Sequence, residues 1–273
     1  MNRKKMQVMS IPYLLWVVGF TVIPLIFVIT KALTGDNGLT AENLFAIFDS
    51  VHKKALVLSL ELAFICSLIC ILISYPAALI LRSSKLGSKK IMIFIMILPM
   101  WMNFILRILS IQMLISRNGI INNILGALRL PPISIINTPF AIVLGMVYDY
   151  LPYMLLPILN CVLAIPDDII EASKDLGANR LTVLTKILLP LSLSGIGSGI
   201  TMVFVPSMTE FVIANVLGGG KIQLLGNVIE QEFSVTMNWN LGSGLSVTLM
   251  VFVLLTTLIF GRASSSSDSG LVI

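Results

Sequence analysis

Charge is what this chain has least of. Of its 273 residues, 11% are Asp, Glu, Lys or Arg, less than half of the roughly 25% found in soluble domains. So few charged groups cannot cover a water-soluble surface. Histidine is reduced to His52, and cysteine to Cys66, Cys70 and Cys161, all in apolar runs. That leaves too few ligands of the usual kind for a zinc site, so no metal is expected and the thiols read as packing residues. No Gly-x-x-x-x-Gly-Lys-Ser/Thr loop occurs, and no nucleophile stands with a base. The chain is not expected to be an enzyme or to hydrolyse ATP.

What it has instead is apolar sequence. Hydrophobic residues make up 57% and mean hydropathy is +0.99. These values exclude a disordered chain. Long unbroken apolar runs argue against a membrane β-barrel, whose strands alternate. The expected fold is all-α, a polytopic membrane protein. The net charge of +5 would suggest nucleic acid in a soluble protein. Here the basic residues sit at the ends of apolar runs, so membrane topology explains them and no nucleic-acid partner is expected.

About 20 apolar residues cross the hydrocarbon core. Six segments qualify, at roughly 10–32, 56–81, 91–115, 139–164, 189–216 and 244–262. They predict six transmembrane helices in one domain over residues 1–273, with an uncleaved first span because its apolar run exceeds a signal peptide's. An even number of crossings puts both termini on one side. Arg3, Lys4, Lys5, Arg82, Lys85, Lys89, Lys90, Lys174, Arg180, Lys186 and Arg262 fall on that face. Lys31, Lys53, Lys54, Arg117, Arg129 and Lys221 fall on the other, and the richer face is predicted cytoplasmic. The outer loop 116–138, with Asn122-Asn123 and Pro131-Pro132, is expected to be ordered by turns rather than by a long helix. Gly218-Gly219-Gly220 reads as a flexible turn or re-entrant segment, Gly195-x-x-x-Gly199 as a packing face, and Ser264–Ser267 as a mobile tail.

The loop 165–190 has more local grammar. Asp168 with Glu171 predicts a capping box and a helix running to Leu176. Gly177 suits a left-handed C-terminal position, and Asn179 suits the cap of a second helix. The prediction is a helix–turn–helix elbow on the cytoplasmic side.

Glu171-Ala172-Ser173-x-x-x-Gly177, nine intervening residues, then Ile187-x-Leu189-Pro190 resembles the EAA motif of ABC importer permeases. Ser173 stands where the family usually has alanine. Pro99-x-Trp101-x-Asn103-x-x-x-Arg107 and Leu217-Gly218-Gly219-Gly220-Lys221, with Leu225-Gly226-Asn227-Val228-Ile229, resemble the spermidine/putrescine (PotB-type) branch. The resemblance implies a type I importer permease (MetI-like) fold in a bacterial inner membrane. It implies an elbow that couples to an ATPase through Glu171, Ala172, Ser173, Asp175, Gly177, Ile187, Leu189 and Pro190. It also implies a second homologous permease, an ATPase dimer that binds ATP and Mg, and an extracytoplasmic polyamine-binding protein. No cofactor is expected in this chain itself.

Four ionisable residues fall inside predicted spans: Glu61, Arg107, Asp149 and Glu210. Each needs a cavity, water or a partner. Asp149 lies about ten residues into its span, or about 15 Å deep; the others are shallower. A polyamine path would need carboxylates at intervals and aromatic faces. Asp149, Tyr148, Tyr153, Glu61, Glu210 and Trp101 are the candidates. Equally, Asp149 or Glu61 could pair with Arg107, or accept from a tyrosine, and simply hold spans together. Arg107 and Asn103 are expected to be structural, because a cation in the path would repel the cargo. The rivals are a proton-coupled secondary transporter using Asp149, an intramembrane enzyme, or an importer of sulfate, iron or thiamine. A sulfate path should show an excess of intramembrane cations, whereas here three acids face one cation.

Overall fold

A computed structural model describes residues 12–35, 38–84 and 86–268. Arg3, Lys4, Lys5 and Lys85, and the side chains of Lys89, Arg262 and Ser264–Ser267, lie outside the described residues. The described elements are almost all helical. In chain order the longer helices are α1 (Pro12–Ala32), α2 (Ser50–Ser83), α3 (Leu86–Ile97), α4 (Phe104–Ile115), α5 (Ile120–Ala127), α6 (Pro139–Ala164), α7 (Asp167–Asp175), α8 (Arg180–Leu191), α9 (Leu193–Met208), α10 (Val212–Gly218), α11 (Leu225–Ser234) and α12 (Trp239–Asp268). Among them five spans are long and apolar enough to cross a membrane: α1, α2, Phe104–Ala127, α6 and Trp239–Phe260. A sixth results if α8 and α9, bent by 62°, count as one crossing.

Two of the six expected spans are not continuous. The third, 91–115, breaks after α3. Pro99 has no N–H to extend the ladder, Leu98–Trp101 tighten into a 3-10 turn, and Met102 is extended. Asn103 then starts α4, its Oδ1 accepting from the Ile105 and Leu106 N–H groups at 3.0 and 3.3 Å. The fifth, 189–216, breaks twice. Pro190 and a Ser192 hydroxyl donating to the Leu188 carbonyl mark the first bend. The second follows Pro206, where α9 ends and α10 begins. One further expectation is corrected. Residues 116–138, expected to be an outer loop, contain α5, the second half of the candidate span Phe104–Ala127, with Asn122 inside it rather than in a turn. The backbone at Ser264–Ser267 continues α12. Asn122 is buried and staples the loop, bonding the Ser116 and Ile133 carbonyls and the Ile133 N–H.

The described residues pack as two compact units. One is drawn from the chain up to Lys54 together with Val228–Phe252. In it, Thr34–Gly35 and Gly38–Leu39 form a minimal antiparallel hairpin. Thr248 donates to the Leu44 carbonyl at 3.1 Å, and the Phe233 and Trp239 rings meet edge to face. Ala32 is the single buried residue of α1.

The other unit is drawn from Ala55–Asn227 and from Val253 onward. Its centre is α6, whose Ile142, Met146, Met154, Leu155, Ile158 and Leu159 are buried. The small residues of α9 permit close packing on α6. A Cβ at Gly195 would come within 2.8 Å of the Pro157 carbonyl oxygen and Cys161, and one at Gly199 within 2.6 Å of Met154 Sδ. Cys66 and Cys70 are fully buried and Cys161 half-buried, all as free thiols.

Candidate functional site

The elbow between α6 and α9 is built by local chemistry. Ile165 and Pro166 are extended, so the chain leaves α6 sharply and α7 begins at Asp167. The expected capping box does not form. Pro166 occupies the cap position, and Asp167 and Asp168 sit in the first turn, where carboxylates favour the helix dipole. The C-terminal end follows the expectation. Gly177 has φ +84°, its N–H donates to the Lys174 carbonyl at 2.8 Å, and the Ala178 N–H donates to the Ser173 carbonyl at 3.0 Å. This pair of bonds is a Schellman motif. Asn179 Oδ1 caps α8, accepting from the Thr182 N–H at 2.8 Å.

A small apolar cluster of Ile165, Val183 and Leu188, with Ile170, Ala178 and Leu79, fills the inside of the elbow. Its outside is open. Glu171, Ala172, Asp175, Gly177, Leu189 and Pro190 are exposed, while Ser173 and Ile187 are half-buried. Leu176 is 89% exposed and Leu181 67%. Two large apolar side chains held this far out by a rigid turn suit contact with a partner.

Arg82, which the sequence offers only as one loop cation among many, ties this elbow to α2. Its guanidinium donates to the Val162 and Ile165 carbonyls and pairs with Asp167 at 2.7 Å. A helix continuing past Val162 would satisfy that carbonyl from the N–H of residue 166. Pro166 has none, and the arginine fork takes its place. A buried carbonyl left without a donor would cost about 1–3 kcal/mol.

Away from the elbow, two of the candidate acids, Asp149 and Glu210, belong to a network of buried contacts. Arg107 pairs with Asp149, and both are buried. Arg107 also donates to the Pro99 carbonyl at 2.9 Å, holding the break before α4. The neighbouring Tyr150 donates its O–H to Glu210 Oε2. Glu210 Oε1 accepts the N–H groups of Phe211, Val212 and Ile213 at 3.1, 2.8 and 3.1 Å. Glu210 therefore caps α10 at a buried helix break, where the N–H groups would otherwise lack partners. Asn227 ties down the same break. Its Nδ2 donates to the Phe211 carbonyl and to Asn215 Oδ1 at 2.9 and 2.7 Å. Gly219 and Gly220, with φ +60° and +70°, form a tight left-handed turn after α10.

The remaining path candidates lie apart from this network. Glu61 is exposed on α2, with no ion pair or hydrogen bond among the described residues. Tyr148 and Tyr153 are about two-fifths exposed, and Trp101 is exposed edge-on to Phe94. A cavity of about 450 Å³ is bounded by Met102, Arg107, Ser110, Leu114, Tyr148 and Leu151. Its wall is apolar apart from Arg107, Ser110 and the Tyr148 hydroxyl. Among the described residues no three His, Cys, Asp or Glu side chains come together to hold a metal ion.

Comparison with known proteins adds a family. A family model described as "binding-protein-dependent transport system inner membrane component" matches residues 70–265. The spermidine/putrescine transport system permease protein PotB of Haemophilus influenzae is 34% identical over 259 residues, covering 91% of this chain and 90% of that protein. The protein of the same name from Escherichia coli is 33% identical, covering 91% and 94%. Among solved structures, a chain of a bacterial ABC transporter for the import of alginate superposes with a TM-score of 0.82 at 16% identity, over 96% of this chain and 95% of that one. A chain of the MetNI methionine ABC transporter superposes with a TM-score of 0.56 at 18% identity, over 78% and 94%.

Proposed function

The chain belongs to the family of binding-protein-dependent transport system inner membrane components, and from that membership we propose that it is the permease subunit of an ATP-driven polyamine importer. It is a multi-pass membrane protein and a transport permease. One observation carries the coupling half of this reading: a rigid elbow whose Leu176 and Leu181 stand out from a Schellman turn. A soluble motor can grip such a projection. The cargo half draws on the likeness to permeases named for spermidine and putrescine.

In this reading the elbow faces the cytoplasm, as do both termini, and Glu171, Ala172, Ser173, Asp175 and Gly177 dock on an ATPase subunit. ATP and Mg bind there. A second, homologous permease completes the path, and an extracytoplasmic binding protein delivers the cargo. Closure of the ATPase pair displaces the elbows, and the path opens alternately to either side. Asp149 and Glu210 shape the path by holding its broken helices. Glu61, Tyr148 and Tyr153, which keep exposed surface, offer a carboxylate and aromatic faces to a polycation.

The test is reconstitution of the four-component complex in proteoliposomes. Binding protein loaded with spermidine or putrescine should raise ATP turnover and bring the polyamine across. Stimulation by thiamine, iron or sulfate but not by polyamines would overturn the cargo. Uptake by the isolated chain under a proton gradient would overturn the ATP coupling.

A further inference from the structure

The two helices adjoining the elbow in sequence are α6 and α9. A third helix is bound to it from far away. Tyr75, Leu79 and Arg82 recur at helical spacing and so share one face of α2. The Tyr75 hydroxyl lies 3.3 Å from Ser192 Oγ, at the 62° bend between α8 and α9. Leu79 packs on the apolar cluster inside the elbow. Arg82 holds the Val162 and Ile165 carbonyls and Asp167 at the elbow's start, although Asp167 is 85 residues away in the chain. One stripe of α2 thus touches the beginning, the inside and the end of the lever.

The contacts differ in strength. The Arg82 side chain is 12% exposed and its Asp167 partner 84%. The ion pair is screened by solvent, whereas the bond to the Val162 carbonyl replaces the one donor that Pro166 removed. A planar guanidinium can serve two carbonyls and a carboxylate at once. A lysine has one nitrogen for all three, and a glutamine has no charge.

We propose that Arg82 is a positioning residue for ATP-coupled transport, carrying the displacement of the elbow into α2 as a third route beside α6 and α8–α9. This rests on the reading of the elbow as the ATPase contact. Arg82 itself touches neither ATP nor cargo; it decides whether α2 follows when the elbow moves.

The experiment compares uptake per ATP hydrolysed in the reconstituted complex, with co-purification of the ATPase subunit recorded for each variant. Arg82→Gln is expected to assemble and hydrolyse ATP, with uptake per ATP falling at least about fivefold, the low end of site-to-site coupling. Asp167→Asn, which loses only the screened pair, should keep the ratio within about twofold of wild type. An unchanged ratio in assembled Arg82→Gln, or a proportional loss of uptake and hydrolysis, would overturn the proposal. Should Arg82→Gln fail to assemble, Arg82→Lys decides: a lowered ratio supports the proposal and a wild-type ratio overturns it. A wild-type complex that hydrolyses ATP but moves no polyamine would instead sink the parent reading.

Discussion

Arg82 and Arg107 both reach to a helix-end carbonyl and to an aspartate, but they do so in opposite surroundings. Arg107 and Asp149 are buried together, at 8% and 5% side-chain exposure, between the break before α4 and the middle of α6. Asp167, the partner of Arg82, is 84% exposed at the start of the elbow. In the first case both charges are out of water, and each depends on the other. In the second, the arginine's bonds to carbonyls bear the weight and the carboxylate is an accessory. The same pair of residue types therefore stabilises a buried core in one place and an exposed elbow in the other. The two regions also differ in completeness. Arg107 with Asp149 and Tyr150 with Glu210 are buried pairs, while the elbow leaves its large apolar side chains facing outward.

The sharpest test of this contrast is Asp149→Asn, which strands a buried guanidinium. A cost of about 3–5 kcal/mol is expected, read as a large fall in the thermal midpoint of the purified complex. The double change Arg107→Met with Asp149→Leu should recover most of it, since a buried pair replaced by apolar side chains is often tolerated. A single variant as stable as wild type would show Asp149 to be free for another partner.

Tyr150→Phe comes next. It removes one hydrogen bond to the Glu210 carboxylate, worth about 1.5–3 kcal/mol, and should lower the same midpoint by less than Asp149→Asn does. Gly177→Ala follows. A Cβ there meets nothing within 4 Å, so the penalty is purely the left-handed backbone, roughly 1–2 kcal/mol. Its effect should appear as reduced ATP-coupled uptake with membrane insertion intact, because the strain falls on the lever and not on the core. Asp167→Asn should be the mildest, under about 1 kcal/mol. Were it as damaging as Asp149→Asn, the distinction between the two ion pairs would fail.

Much of the elbow was legible in the sequence, because its signals are local. Gly177 needs a left-handed residue at a helix end, Asn179 is a capping residue followed by a helix, and Ile187-x-Leu189-Pro190 lies at a fixed distance. The capping box failed because Pro166 sets the helix start two residues early, and because Asp167 is drawn to Arg82, 85 residues away. The apolar runs found the spans but not their interruptions. Pro99 with Asn103, and Pro206 with Glu210, do carry a break signal, but hydropathy averages over it. Asp149 left two readings open, pairing and path, and the structure places it against Arg107. Arg82 could not be singled out, since its partners lie 80 or more residues away. Long-range partners of this kind leave no trace in spacing.

The central claim is that a separate ATPase grips the outside of the elbow. A photo-activatable cross-linker placed at Leu176, 89% exposed, in the assembled complex reports on this directly. The account predicts a covalent adduct with the ATPase subunit that changes in yield on adding ATP. An adduct with lipid alone, or none with the ATPase while the complex still transports, would contradict it.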